Sequence, residues 1–176
     1  MRKLLFICCV LACASVAGAK ENGKFEAGVF FPAVSATAFG DWGNSAGTSV
    51  AAGGFGYYTF QERMALGLEM AYDFGHPLKG TNIDVTMFRL SPLLKYSGET
   101  SMFGKPAVYY SVFGLGYYHS SADGSTSNDI GFSLGEGVGV EFSPCWLAGL
   151  EVRWHHVFSD PASNNLDFMP KLSYKF

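Results

Sequence analysis

The chain has 176 residues, with 12 Lys+Arg against 15 Asp+Glu, 22 glycines, 16% aromatic residues and only 15% charged residues. So few charges beside so many aromatics exclude a disordered chain, and a net charge of −3 without a basic patch excludes a nucleic-acid binder. Glycine scattered throughout excludes a helical bundle, because each interior glycine costs a helix about 1 kcal/mol, so a single β-rich domain remains.

The N-terminus sets the compartment. Arg2-Lys3 is a charged head, residues 4–16 are apolar, and Ala17-Gly18-Ala19 is a small-x-small cleavage site. This reads as a secretory signal peptide over residues 1–19, cut before Lys20. The run is too short for a helical span, which needs about 20 apolar residues. A lipoprotein reading would acylate Cys13, but bulky Leu11 in Val10-Leu11-Ala12-Cys13 makes a loose lipobox. Cleavage removes Cys8, Cys9 and Cys13, leaving Cys145 with no intrachain disulfide partner. It also removes Arg2 and Lys3, which takes the net charge from −3 to −5. A closed β-barrel can supply stability without a disulfide.

In chain order, strands are predicted near 24–32, 48–58, 64–74, 88–96, 106–118, 130–142, 148–158 and along the final segment to Phe176. Alternation is clearest in the third, where Met64, Leu66, Leu68, Met70, Tyr72 and Phe74 oppose Ala65, Gly67, Glu69, Ala71 and Asp73. In the fourth, Phe88, Leu90, Leu94 and Tyr96 oppose Arg89, Ser91 and Lys95. In the seventh, Leu150, Val152 and Trp154 oppose Glu151, Arg153 and His155. In the last, Phe168, Leu172, Tyr174 and Phe176 oppose Asp167, Lys171, Ser173 and Lys175. The segments 48–58 and 106–118 are apolar on both faces, so their register is not readable. Connections 33–47, 75–82, 119–129 and 159–165 are expected to be long, 59–62 and 143–145 short, and 97–105 intermediate. Eight strands of about ten residues with alternating long and short connections match a transmembrane barrel.

Alternation alone does not say which face meets lipid, since a soluble lipocalin-like barrel inverts the pattern. Aromatics near strand ends (Tyr57, Tyr58, Tyr72, Phe74, Tyr96, Tyr117, Tyr118, Phe158, Tyr174, Phe176) fit interfacial girdles. Glu69, Arg89, Glu151, Arg153 and Lys171 carry both signs at similar depth, as a charge network in the lumen would. The fold class expected is therefore all-β, an eight-stranded antiparallel up-and-down transmembrane barrel over residues 20–176.

The ending Leu172-Ser173-Tyr174-Lys175-Phe176 resembles the C-terminal assembly signal of outer-membrane barrels, carried by Leu172, Tyr174 and Phe176. With Glu151-Val152-Arg153-Trp154-His155-His156-Val157-Phe158 before it, it resembles the closing hairpin of small OmpA/OmpX-like barrel domains. The resemblance implies residence in the outer membrane among phospholipid and lipopolysaccharide, and recognition of the last strand by the barrel assembly machinery. Pro92 and Pro170 depart from the pattern, since each removes a ladder donor and invites a bulge. No peptidoglycan-binding domain follows the barrel, so wall anchoring is not expected.

Catalytic and metal readings are weaker. His119 and Ser121 have the His-x-Ser spacing of lipid A deacylases, but on the fifth strand rather than the penultimate one, and the last strand offers Asp167 rather than Glu. Adjacent His155 and His156 face opposite sides of their strand and cannot chelate one metal. Asp123, Ser125, Ser127 and Asp129 alternate oxygens without the glycine and bidentate Glu of an EF-hand loop. Gly135, Gly137 and Gly139 make room for large interior side chains such as Arg153. Trp42 either dips into the aromatic belt or anchors a partner.

No catalytic residue, metal or cofactor is therefore assigned. The function expected is a monomeric, structural or adhesin-like surface protein, whose long loops meet an extracellular partner. The alternatives are binding or passage of a small apolar ligand through the upper lumen, and a lipid A-modifying enzyme.

Overall fold

The computed structural model describes residues 24–39, 44–77, 84–160 and 162–176. The signal segment 1–19, Trp42 and the tip of the second loop lie outside the described residues. Eight strands follow one another: β1 (Phe25–Phe39), β2 (Asn44–Gln61), β3 (Met64–Pro77), β4 (Asp84–Met102), β5 (Lys105–Ala122), β6 (Ser125–Ser143), β7 (Trp146–Val157) and β8 (Ser163–Lys175). Each pairs antiparallel with the next, and β8 closes on β1, so no sheet edge is left unpaired.

All eight strands lie where the sequence places them, but they are longer, reaching 19 residues in β4 and β6. Two connections differ in kind. Residues 119–129, expected as a long loop, form a hairpin whose two-residue turn is Asp123-Gly124, with φ of 45° and 80°. Residues 97–105 likewise hold a tight turn at Phe103-Gly104, with φ of 55° and 72°. Positive φ at both central residues marks the hairpin turns whose twist matches that of the strands. The Asp-Gly pair is the sequence signal for such a turn, and the surrounding serines obscured it.

Of the two prolines, Pro170 faces the β1 bulge, where register shifts between Phe30 and Val34. Pro92 marks no bulge: pairing toward β5 lapses after Leu90 and resumes at Leu93 in unchanged register.

The outer face is apolar and the inner face polar. Leu66, Leu68, Phe113, Leu134, Leu150 and Leu172 are exposed on the outside, while Glu69, Asp73, Arg89, Glu151, Arg153 and Asp167 are buried within. That is the arrangement of a barrel surrounded by lipid. The two ambiguous strands resolve. β2 turns Ala51, Phe55 and Tyr57 inward, and β5 turns Tyr110, Val112 and Tyr118 inward. Tyr57 and Tyr118 thus belong to the lumen and not to the girdles. Tyr58, Tyr72, Phe74, Tyr96, Tyr117 and Phe158 do lie exposed outside.

Candidate functional site: a charged lumen

An eight-stranded barrel has an interior just wide enough to be filled by side chains. Here the filling is ionic and stacked in three tiers. In the middle tier Arg153 on β7 donates from Nε to Glu151 at 2.6 Å and from Nη1 to Glu69 on β3 at 2.7 Å. Lys171 on β8 donates to Glu151 at 2.5 Å. β3 and β7 stand opposite one another in the closed order, so Arg153 spans the lumen.

Toward the loops, Arg89 on β4 forms a separate tier with residues that alternation places on the same inner face. It donates to Asp167 at 2.5 Å and to His155 Nε2 at 2.9 Å, and lies 3.4 Å from Asp73. Guanidinium has no acceptor, so His155 accepts at Nε2, and its Nδ1 proton is directed to the Tyr118 hydroxyl at 3.0 Å. The five expected network residues are thus all inside, but Arg89 belongs to this second cluster, apart from the other four. His156, one residue on, faces outward and bonds Asn164 at 3.0 Å.

Toward the short turns, Lys95 donates to Glu26 at 2.8 Å and sits between the rings of Tyr57 and Tyr110, 4.6 and 4.7 Å from their centroids. Ser173 donates to the other Glu26 oxygen at 2.8 Å. Glu26 and its pairing escaped sequence reasoning because one acid in a short first strand shows no period. Glycines on β6 let these bulky groups in. A Cβ at Gly137 would lie 2.4 Å from the Tyr110 ring, and one at Gly135 would lie 3.1 Å from Arg153.

At the loop end His76 turns inward to Thr37 and Ser49, at 3.0 and 2.9 Å. Strict alternation would point it at lipid. A register shift between Asp73 and His76, with Gly75 at φ 131°, reverses the phase. The described upper lumen is therefore lined by polar Thr37, Ser49, Asp73 and His76 together with apolar Val85, Met87 and Val157, a mixed set. A 450 Å³ cavity opens instead at the opposite end, lined among others by Glu26, Phe55, Tyr57, Lys95, Tyr110 and Lys171.

The catalytic and metal constellations disperse. His119 bonds Asn128 at 2.8 Å, where a triad would need a carboxylate. Asp123 sits in the hairpin turn, and Ser127 donates to Asp129 at 2.5 Å on the strand that follows. Among the described residues, no cluster of three His, Cys, Asp or Glu side chains is placed to hold a metal ion.

Solved structures share this architecture. Neisserial surface protein A (NspA) superposes with a TM-score of 0.69 at 12% identity, over 89% of this chain and 100% of that one. OprG from Pseudomonas aeruginosa gives 0.61 at 14% identity, over 89% and 97%. Ail, the attachment invasion locus protein of Yersinia pestis, gives 0.60 at 13% identity, over 89% and 100%. At such identities the likeness is one of fold. Among curated protein sequences none matches. The family model described as the outer membrane protein beta-barrel domain matches residues 4–176. The chain is a member of that outer-membrane barrel family.

Proposed function

We propose that the chain is a non-enzymatic outer-membrane barrel with a structural or adhesin-like role, working through its loop end. The observation that carries this reading is the pair of arginines that cross the lumen. Arg89 and Arg153 are buried, and each bonds a carboxylate on the opposite wall. A cross-section occupied by paired side chains is poorly suited to solute flow.

What the loop end offers is surface. β5 and β6 extend as a hairpin through His119, Ser120, Ser121, Asp123, Thr126, Ser127, Asn128 and Asp129, a hydrogen-bonding and acidic ribbon suited to an extracellular partner. At the other end Leu172, Tyr174 and Phe176 are read as the signal for the barrel assembly machinery, and residues 1–19 as the exported leader.

The test places the chain in a non-adherent Gram-negative host and scores attachment to immobilised epithelial matrix. Attachment is expected to appear, and to disappear when residues 119–128 are shortened to an Asn-Gly turn. Purified protein in planar bilayers should give no steady conductance, and the lipid A mass profile should be unchanged. A stable open channel or a lost acyl chain would overturn the proposal.

A further inference from the structure

The outer face of β6 runs Ile130, Phe132, Leu134, Glu136, Val138, Val140, Phe142. Glu136 is exposed on that face, midway between the two bulky ends. At about 3.3 Å per residue and a tilt of about 40°, either end is roughly 15 Å away along the membrane normal. Glu136 therefore stands near the centre of the hydrocarbon. Among the described residues it is the only charged side chain on the lipid face between the girdles; the other strands present Leu, Val, Phe, Met, Ala, Gly, Pro and Ser there.

Its one bonded neighbour is Ser111 on β5, directly opposite in register, whose hydroxyl donates at 2.9 Å. A carboxylate has about four lone-pair sites, and lipid supplies no donor for the rest. Next to it lie Val152 on β7 and, in the adjacent rows, Phe113, Leu134 and Val138. Every other charged side chain at this depth has been turned into the lumen, and Ser111 is the polar group beside it, so the exception carries information: ionisable groups inside a membrane face partners.

We propose that the β5–β6 face is the interface of a symmetric dimer of this chain within the membrane, with Glu136 at its two-fold axis. The chemistry favours a second copy. A two-fold axis brings Glu136 against Glu136, and with both carboxyls protonated each donates its O–H to the carbonyl oxygen of the other, so the pair is neutral and reciprocally bonded. Ser111 of each copy stays on its own carboxyl as an orienting donor. An isologous contact of this kind closes on itself. The pairing departs from the monomer expected from sequence, and it is independent of the surface role proposed above.

The test uses the full mature barrel with Cys145→Ser and Val138→Cys, refolded into phosphatidylcholine vesicles. Oxidative crosslinking at position 138 and sedimentation in detergent report the dimer, and heat-modifiable migration reports folding. Pairing should be retained in Glu136→Gln, whose amide both donates and accepts. It should weaken about tenfold or more in Glu136→Leu, which folds normally but has lost the hydrogen bonds. A monomeric wild type, a Glu136→Leu protein that pairs as tightly, or a Glu136→Gln protein that does not pair would each overturn the proposal.

Discussion

Arg89 and Asp167 meet at 2.5 Å across the full width of the lumen, from β4 to the strand diametrically opposite, β8. Both are buried, and so are their companions Asp73 and His155. Removing one partner of such a pair leaves the other charge unpaired and typically costs about 3–5 kcal/mol. Arg89→Met should lower the urea midpoint in detergent micelles far more than Lys105→Met, since Lys105 is exposed beside a turn. Adding Asp167→Asn to Arg89→Met should restore part of the loss. If the double variant is no more stable than the single, the two side chains do not form an energetic unit.

The middle tier makes a parallel prediction. Arg153 holds Glu69 and Glu151 together, and Lys171 supplies the balancing charge. Arg153→Ala should destabilise by an amount similar to Arg89→Met. Glu69→Gln should do so less, because Glu151 still pairs Arg153. Equal melting of Arg153→Ala and wild type would mean that solvent already reaches the site.

On the outer face, a lipid-facing arginine near the midplane costs about 2–4 kcal/mol and much less near the interfaces. Leu68 is half exposed near the middle of β3, and Tyr72 lies two pleat repeats nearer the rim. Leu68→Arg should slow and reduce folding into vesicles, while Tyr72→Arg should be milder. A soluble protein recovered without detergent would contradict both expectations.

How far were these relations legible beforehand? All eight strands were, four of them (β3, β4, β7 and β8) because one face repeats large apolar residues at a period of two, while β2 and β5, apolar on both faces, show position without register. The inward faces of Glu69, Asp73, Arg89, Arg153 and Lys171 followed from the same period. What periodicity does not encode is which acid meets which base, since that depends on the barrel's stagger. Thus Arg89 reads as a neighbour of Arg153 and in fact pairs a separate set. Bulges are the second blind spot. The shift before His76 turns a residue expected in the connection 75–82 into a lumen residue on β3, and only Gly75 hints at it. Glu136 is masked for another reason: between Gly135 and Gly137 it reads as part of a glycine tract and not as a break in an apolar face.

Topology gives a further expectation. In a Cys145→Ser background, Ser125→Cys at the hairpin should react with an impermeant maleimide on intact cells. Glu62→Cys, in the turn between β2 and β3, should not. Labelling of position 62 on sealed cells would reverse the proposed orientation.

Processing is the last. The mature protein should begin at Lys20, and Cys13→Ser should leave export unchanged. An N-terminal acyl group at position 13 in the mass spectrum would replace signal cleavage at Ala19 with lipoprotein maturation.

Asp167 and Lys171 both lie on β8, the strand made last, and β8 seals the wall by pairing with β1. Until that seam closes, Arg89 is held away from Asp167 and Arg153 from Glu69, although Lys171 already reaches Glu151 within the β7–β8 hairpin. An unfinished sheet therefore holds charges that can be released from water only together. The final strand thus acts as a proof-reader of assembly: a chain that stalls before it gains little from entering lipid, and one that completes it gains the ionic interior in a single step.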